Sequence, residues 1–370
     1  MTACRRLALV ISSLGPGGAE RVLSTMANHW SARGVDVTLL TLAAAGSDFY
    51  PLHSRVARVA LGIAAASSGA ISAVAPNVAR VLALRRALIA ASPDVVISFG
   101  DRTNLSVALA VVTTRIPLIV AERSDPREQR LGTVLESMRR VLYRNAAVVV
   151  QTESVRRWAA KILRCAALHV IPNPVAVEGP RETSAPRAKR VVSVGRLTPE
   201  KGHDLLLRAF ASIAGRDPDW RLCIAGDGPQ RESLERMSAD LGIRGAVDFL
   251  GTQKAIEALL LQAGMFVLPS RYEGFPNALI EAMAHGAAVI AFDCPSGPAE
   301  IVKDGIDGLL VPAGDVSALA SAMGFLMADA RKREELGAAA QAIARRFAVE
   351  TVMQRWEEVL AASYARRAAA

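Results

Sequence analysis

Short runs of Val, Ile and Leu recur along this chain, each followed by Gly, Ser or Asp and then by a helical pattern. In the first half they are Leu7–Ser13, Val35–Thr41, Val95–Phe99, Leu118–Ala121 and Ala147–Gln151. In the second half they are Val191–Gly195, Arg221–Ala225, Val247–Leu250, Met265–Pro269, Ala288–Phe292 and Gly308–Val311. Strands without polar alternation are covered on both faces, and strands separated by helices run parallel. The pattern therefore predicts an α/β protein. Its 370 residues exceed what one core organises, so two doubly wound domains are expected, facing each other across a cleft. The stretch IPNPVAVEGPRETSAPRAKR is rich in Pro, Ala and charge and has no helical period, as a linker would be. The predicted divisions are residues 1–175, a linker at 176–189, a second domain at 190–350, and a helix at 351–370 packing back on the first domain.

Composition narrows the class. With 51% hydrophobic and 21% charged residues the chain is globular rather than disordered. Cys4, Cys165, Cys223 and Cys294 are far apart and form no metal-type cluster, which points to a reducing compartment and against a disulfide framework. Arg5-Arg6 before LALVIS imitates a secretory signal, but that apolar run is short and leads straight into GPGG, so it reads as a first strand. The uncharged stretch Val59–Ala79 has membrane-span length but contains serines, two glycines and Pro76, and reads as a loop leading into a surface helix. The basic charge is confined to one half. Residues 1–180 carry 21 Lys/Arg against 11 Asp/Glu, a net of +10, and the remainder nets −1. An anionic partner for the first half is one reading, and an ordinary arginine-rich surface is the other.

The loops after the strands carry the chemistry. SSLGPGGAERVL places Gly15, Gly17 and Gly18 before a helix start, where backbone N–H groups can approach an anion, although a plain structural turn uses the same residues. VVSVGRLTPEKG puts Arg196 and Lys201 together at a strand-to-helix junction, a pairing that suits a diphosphate or simply two solvated cations. AGDGPQ, with Gly226 and Asp227, makes a further strand-end turn, as does Gly251, where a base could lie on backbone. FVLPSRYEGFPNALIEAMAHG reads as strand, loop and helix, with Pro276 near the first turn. The N–H groups of Gly274, Phe275 and Asn277 are then expected free to cradle phosphate or sugar oxygens. Glu273 can accept from sugar hydroxyls. Glu281 either grips a vicinal diol or is an ordinary exposed helix glutamate.

Together these segments resemble the retaining glycosyltransferases of family four, which have the two-domain, Rossmann-like GT-B architecture. The likeness rests on the Glu273-to-Glu281 spacing joined by GPGGAERV, VGRLTPEKG, AGDGP and PAEIVKDGIDGLLVP, in family order from Gly15 to about Leu326. It implies a nucleotide-sugar held mainly by the second domain and an acceptor held by the first. By the resemblance, Arg196 and Lys201 bind the diphosphate, Glu281 the ribose and Glu273 the donor sugar, while Gly17 and Gly18 approach the phosphates. GGAERVLSTMANHW, DFYPL, VISFGDRTN, AERSDP and VVVQTESVRRW look like enzymes that extend undecaprenyl-diphosphate-linked oligosaccharides from UDP-hexoses or UDP-N-acetylhexosamines, working at the inner face of the cell membrane. Where many members carry a histidine near the donor sugar, this chain has Glu122-Arg123-Ser124. Asp101, Arg102, Asn104, Glu122 and Arg123 are the acceptor-side candidates.

The family pattern implies front-face attack, with the leaving phosphate taking the acceptor's proton and the protein supplying positioning and electrostatics. Asp217-Pro-Asp219 spells a metal-holding pattern of another glycosyltransferase fold but lies before a strand, so it reads as a turn and no metal is expected. His203 and His285 read as packing residues. REQRLGTVLESMRRVLYR predicts a basic amphipathic helix over 127–144, with Leu131, Val134, Leu135, Met138, Val141 and Leu142 as its apolar stripe and Arg130, Arg139, Arg140 and Arg144 on the flanks or back. It would rest on an anionic bilayer, hold the acceptor's diphosphate, or pack on a core. Two rivals stand beside this reading. A GT-B epimerase or hydrolase would need acid/base residues over the donor sugar that no segment supplies. A nucleic-acid binder would need aromatics interleaved with the arginines, and aromatics are only 5%.

Overall fold

The computed structural model describes residues 4–46, 48–63, 74–175 and 187–368. The chain divides into two units, the first formed by Met1–Asn173 with Val352–Ala370 and the second by Pro174–Thr351. Residues 176–186 of the expected linker, and 64–73 of the uncharged stretch, lie outside the described residues. Among the described residues no helix is long and apolar enough to cross a membrane.

The first unit is built on seven strands: β1 (Arg6–Ile11), β2 (Asp36–Thr41), β3 (Ala57–Ala60), β4 (Val95–Phe99), β5 (Leu118–Ala121), β6 (Ala147–Val150) and β7 (Ala167–Val170), in the order β3-β2-β1-β4-β5-β6-β7. The second is built on β8 (Ala188–Val194), β9 (Arg221–Ala225), β10 (Val247–Gly251), β11 (Ala263–Leu268), β12 (Ala288–Asp293) and β13 (Leu309–Pro312), in the order β10-β9-β8-β11-β12-β13. Every pairing is parallel. Both sheets start in the middle, grow one way and then reverse, so each is doubly wound with a switch point beside its first strand. β3 and β7 escaped the sequence reading. Both are four-residue edge strands without a fully buried face, so neither produces a continuous apolar run.

The helices follow in chain order: α1 (Gly18–Ala32), α2 (Val74–Ala91), α3 (Asp101–Val111), α4 (Thr133–Leu142) and α5 (Glu153–Ile162) in the first unit. Then come α6 (His203–Ala211), α7 (Arg231–Asp240), α8 (Ile256–Gln262), α9 (Asn277–Ala284), α10 (Pro298–Ile301), α11 (Val316–Ala328), α12 (Ala330–Ala340), α13 (Ile343–Arg346) and α14 (Val349–Ala368). The strand period of two sends alternate residues of the second sheet into separate cores. Val191, Leu222, Ile224, Met265, Val267, Ile290 and Phe292 pack on one face, and Val192, Cys223, Ala225, Phe266, Leu268, Val289 and Ala291 on the other. In the first unit Ala8, Val10, Val96, Val120, Val148 and Val150 meet Leu84 and Leu88 of α2 and Leu105 and Ala108 of α3. Trp356 of α14 is fully buried against Phe99, ring centroids 6.1 Å apart.

One helix differs from its sequence reading. α4 begins at Thr133 rather than at 127, and Arg139, expected on its flank or back, is completely buried. Val134 and Val141, two residues of its apolar stripe, are exposed. An apolar period with an arginine inside it cannot say which side faces the core; a buried acidic partner decides it, as described below.

Candidate functional site

β8 ends at Val194 and β11 at Leu268, the two strands that flank the second sheet's switch point, so the loops after them emerge side by side. The first carries Arg196 and Lys201. The second carries Glu273. Gly202 has φ +66, and a Cβ there would lie 1.9 Å from the Pro269 carbonyl oxygen, so only glycine allows the two loops to touch. Arg271 sews them together: its N–H donates to Glu200 O (2.8 Å), one Nη to Pro199 O (2.7 Å), and its fork to both Asp204 oxygens (2.8 and 2.7 Å). Burial opposes ionisation of Asp204, yet the Arg271 fork holds its pKa below the usual value.

This lacing brings together two residues 72 positions apart. Lys201 Nζ donates to Glu273 Oε1 at 2.7 Å, and Ser270 Oγ donates to the same oxygen at 2.7 Å. Glu273 is only 5% exposed. A carboxylate so enclosed requires a paired cation and hydrogen bonds, and has both. Cys294, after β12, is buried beside it, and burial together with the Glu273 charge pushes the thiol up to about 12. Gly297, at φ +128, faces the same loop: a Cβ there would lie 2.8 Å from Pro276 Cδ.

The remaining donor-side residues are placed as follows. Arg196 stands largely exposed, 3.5 Å from Glu200. Gly226 (φ +140) donates its N–H to Gly251 O at 2.8 Å, and a Cβ there would fall 1.9 Å from Gly195 O. Its glycine is thus required by backbone against backbone. Asp227 is exposed and caps Gly228 N at 2.8 Å. Phe275 is buried edge-to-face on Phe347, 5.6 Å between centroids, so its side chain is structural. The expectation of a free N–H at Asn277 is corrected: it donates to Phe275 O at 3.0 Å, because the chain tightens into a turn before α9. Gly274 is half-buried just before that turn, and Pro276 caps α9. Glu281 lies half-buried in the second turn of α9, its carbonyl accepting from His285 N and Nδ1 (3.0 and 2.7 Å). His203 is 1% exposed, and burial with the nearby Lys201 charge pushes its imidazole down to about 4. Lys189 Nζ bridges Asp217 and Asp219 (2.8 and 3.2 Å) ahead of β9. Among the described residues no three His, Cys, Asp or Glu side chains gather as metal ligands.

In the first unit Gly17 caps α1 and Gly18 opens it. Gly100, at φ +92, turns the chain out of β4 so that Asp101 begins α3. Ser124 Oγ lies 3.2 Å from both Asp101 oxygens. Arg102 is exposed. Two acceptor-side expectations need correction. Asn104 is fully buried, its amide taking Ser98 Oγ (2.6 Å) and donating to Ala121 O (3.0 Å), so it braces β4 against β5 and presents nothing outward. Glu122, 1% exposed, is also enclosed: Tyr143 Oη donates to its Oε1 at 2.7 Å, and Arg139 Nη1 stands 3.5 Å from that oxygen. Arg139 pairs more closely with Glu136. Arg123 lies over the Phe99 ring at 4.2 Å and donates to Asn173. Burial lowers its pKa, which the Glu20 carboxylate opposes. Tyr143 and Ser270 were missed by the sequence reading, which named Arg139 only as a flanking arginine of its helix and Ser124 only within Glu122-Arg123-Ser124. The four-residue step from Arg139 to Tyr143, which puts both on one helical face, was the available signal for Tyr143.

Comparison with known proteins agrees with this geometry. The family profile "Glycosyltransferase Family 4" matches residues 16–178, and "Glycosyl transferases group 1" matches 179–343. The chain is 35% identical over 287 residues to an exopolysaccharide phosphotransferase of Streptomyces coelicolor, spanning 77% of this chain but only 30% of that longer protein. It is 30% identical over 358 residues to the Campylobacter jejuni GalNAc-alpha-(1->4)-GalNAc-alpha-(1->3)-diNAcBac-PP-undecaprenol alpha-1,4-N-acetyl-D-galactosaminyltransferase, covering 96% of this chain and 98% of that one. Among solved structures it resembles Anabaena HepE in complex with UDP and glucose, with a TM-score of 0.83 at 21% identity over 96% of this chain and 99% of that one. The chain belongs to the group 1, family 4 glycosyltransferases and has their GT-B fold.

Proposed function

We propose that this glycosyltransferase is a retaining enzyme that moves a sugar from a UDP-linked hexose or N-acetylhexosamine to a saccharide carried on undecaprenyl diphosphate, in cell-surface glycan assembly. The carrying observation is Glu273, buried at 5% exposure and held by Lys201 and Ser270 at 2.7 Å each. An enclosed carboxylate with fixed orientation suits the hydroxyls of a donor sugar, and an ammonium has two further protons to give a diphosphate. Arg196 supplies the second cation and Glu281 the ribose contact. Gly274, Phe275, Gly226, Asp227 and Gly251 line the nucleotide, and Gly17 and Gly18 contact phosphate. The attack is front-face and needs no metal, the departing phosphate taking the acceptor's proton while Arg196 and Lys201 stabilise its charge. The second unit holds the donor and the first the acceptor. The name of the Campylobacter relative supports a polyprenyl-linked acceptor, and the UDP in the Anabaena structure supports the nucleotide.

The protein acts peripherally at the inner face of the membrane. Support comes from the net +10 of residues 1–180 and from the exposed Val78, Leu82 and Ile89 of α2 and Val134 and Val141 of α4.

The test is thermal stabilisation by a panel of nucleotides and nucleotide-sugars without added metal, followed by mass analysis of product from undecaprenyl-diphosphate glycans. Ligands that bind only the folded state raise its melting temperature. Selective stabilisation by UDP and one UDP-sugar, and a mass gain of one sugar, are expected. Stabilisation by no uridine nucleotide would overturn the reading.

A further inference from the structure

Glu273 receives two side-chain bonds, and both land on one oxygen. Lys201 Nζ and Ser270 Oγ each donate to Oε1 at 2.7 Å, and among the described residues no donor reaches Oε2. Oε2 is not a fully enclosed atom, so part of the 5% exposure that Glu273 keeps belongs to it. Both oxygens of a carboxylate accept hydrogen bonds, so Oε2 is the one left for a ligand.

The two donors on Oε1 differ in permanence. Ser270 is 1% exposed, lies on the same turn as Glu273, and reaches it through a single side-chain torsion. Arg271, the next residue, fastens that turn to Glu200, Pro199 and Asp204. From the loop after β12, a Cβ on Gly297 would lie 3.8 Å from Glu273 Cβ, so the stem of the carboxylate is packed as well. Lys201 is a different kind of partner. Its ammonium rides on a flexible four-carbon stem from the loop after β8, its side chain is 22% exposed, and in the proposed reaction it also serves the diphosphate. A bound diphosphate competes with Glu273 for that ammonium, whereas the Ser270 hydroxyl, shut away from solvent, keeps its bond.

We propose that Ser270 is a positioning residue of the donor site: its hydroxyl holds Glu273 Oε1 while Lys201 turns to the diphosphate, so that Oε2 stays aimed to accept from a hydroxyl of the donor sugar. This inference rests on the donor-sugar role proposed above for Glu273. It adds a selectivity to that role. The carboxylate only accepts, so the contact selects a sugar that presents a hydroxyl hydrogen and disfavours one with a deoxy carbon or a carboxylate in that place. Without Ser270 the carboxylate is free to follow Lys201, and the selectivity is lost while the ammonium still grips phosphate.

Calorimetry on the full-length protein tests this. The probes are UDP, the UDP-hexose or UDP-N-acetylhexosamine that the native protein binds most tightly, and the monodeoxy analogues of that sugar. In the native protein one monodeoxy analogue should bind about tenfold more weakly than its parent, the value of one hydrogen bond to a charged group. In Ser270→Ala that difference should vanish, the parent UDP-sugar should weaken about tenfold, and the Kd of UDP should stay within about twofold. Ser270→Cys, alike in shape but a weak donor, should give the same pattern and replaces alanine in the test if that variant does not fold. A variant that loses UDP and UDP-sugar equally, as a merely structural serine would, overturns the proposal, and so does one that still discriminates the deoxy analogue. Either result leaves the donor-sugar role of Glu273 standing. A native protein that binds no UDP-sugar, or binds every monodeoxy analogue as tightly as the parent, overturns the proposal together with that role.

Discussion

Glu122 and Glu273 occupy matching places in the two units. Each follows a strand next to a switch point or one strand beyond it, each lies at a carboxyl end, and each is enclosed, at 1% and 5% exposure. Their electrostatics are opposite. Glu273 has an ammonium at 2.7 Å and a hydroxyl at 2.7 Å, whereas Glu122 has a phenol at 2.7 Å, the Arg139 guanidinium at 3.5 Å and the Asp101 charge nearby. Burial penalises a charge in both; the cation that answers it lies closer in the second unit, 2.7 Å against 3.5 Å. The same topology therefore leaves a closely paired carboxyl on one sheet and, on the other, one that burial pushes up to about 8.

The comparison can be broken most forcefully at Glu273. Glu273→Gln keeps the shape and removes the charge, and turnover should fall by about 100- to 1000-fold, the scale of losing one preorganised electrostatic contact. Near-native turnover would remove Glu273 from the site. Lys201→Ala should weaken binding of uridine diphosphate by about 10- to 100-fold, as a hydrogen bond to a charged group implies, and leave uridine nearly unchanged. Calorimetry showing equal losses for both ligands would refute the diphosphate role. Gly202→Ala forces a Cβ against the Pro269 carbonyl at a positive φ and should cost about 1–3 kcal/mol, seen as earlier denaturant unfolding of the second unit. Unchanged unfolding would mean the two loops do not depend on that contact.

Melting as a function of pH gives the smallest and most discriminating effect. Glu122 binds its proton up to about pH 8 when folded, against an ordinary value of 4.5, so between these limits the folded state holds more protons than the unfolded one. Its contribution is complete below that window and is lost as pH rises through it. His203 runs the other way: its folded value of about 4 lies below the ordinary 6.5, so its contribution is present above the window and lost as pH falls through it. Glu122→Gln should flatten the alkaline limb by a few degrees, and His203→Asn the acidic limb. Unaltered limbs would refute the protonation states assigned to each residue.

Much of this arrangement was legible before any fold. The uninterrupted apolar runs at Val95–Phe99 and Leu118–Ala121 announced strands covered on both faces. Edge strands β3 and β7 announced nothing, because partial exposure breaks the run. Glu273, Lys201 and Arg196 stood out by their spacing in strand-end loops. Ser270 did not, since a lone serine in a loop resembles any other. Arg139 was read on the wrong side of its helix: exposed Val134 and Val141 give the apolar period that a core-facing helix gives.

The sequence by itself determined the class of fold, its division in two, and the loops in which charge gathers, because hydrophobic period and glycine turns are local properties. Tertiary structure alone decided which charges meet. Lys201 reaches Glu273 only because β8 and β11 are neighbours and Gly202 lets their loops touch. Glu122 is pushed up to about 8 only because the fold buries it, with the Asp101 charge adding to the shift. Protonation and pairing depend on burial and on distances of a few ångströms between residues far apart in the chain, and neither is written in local spacing.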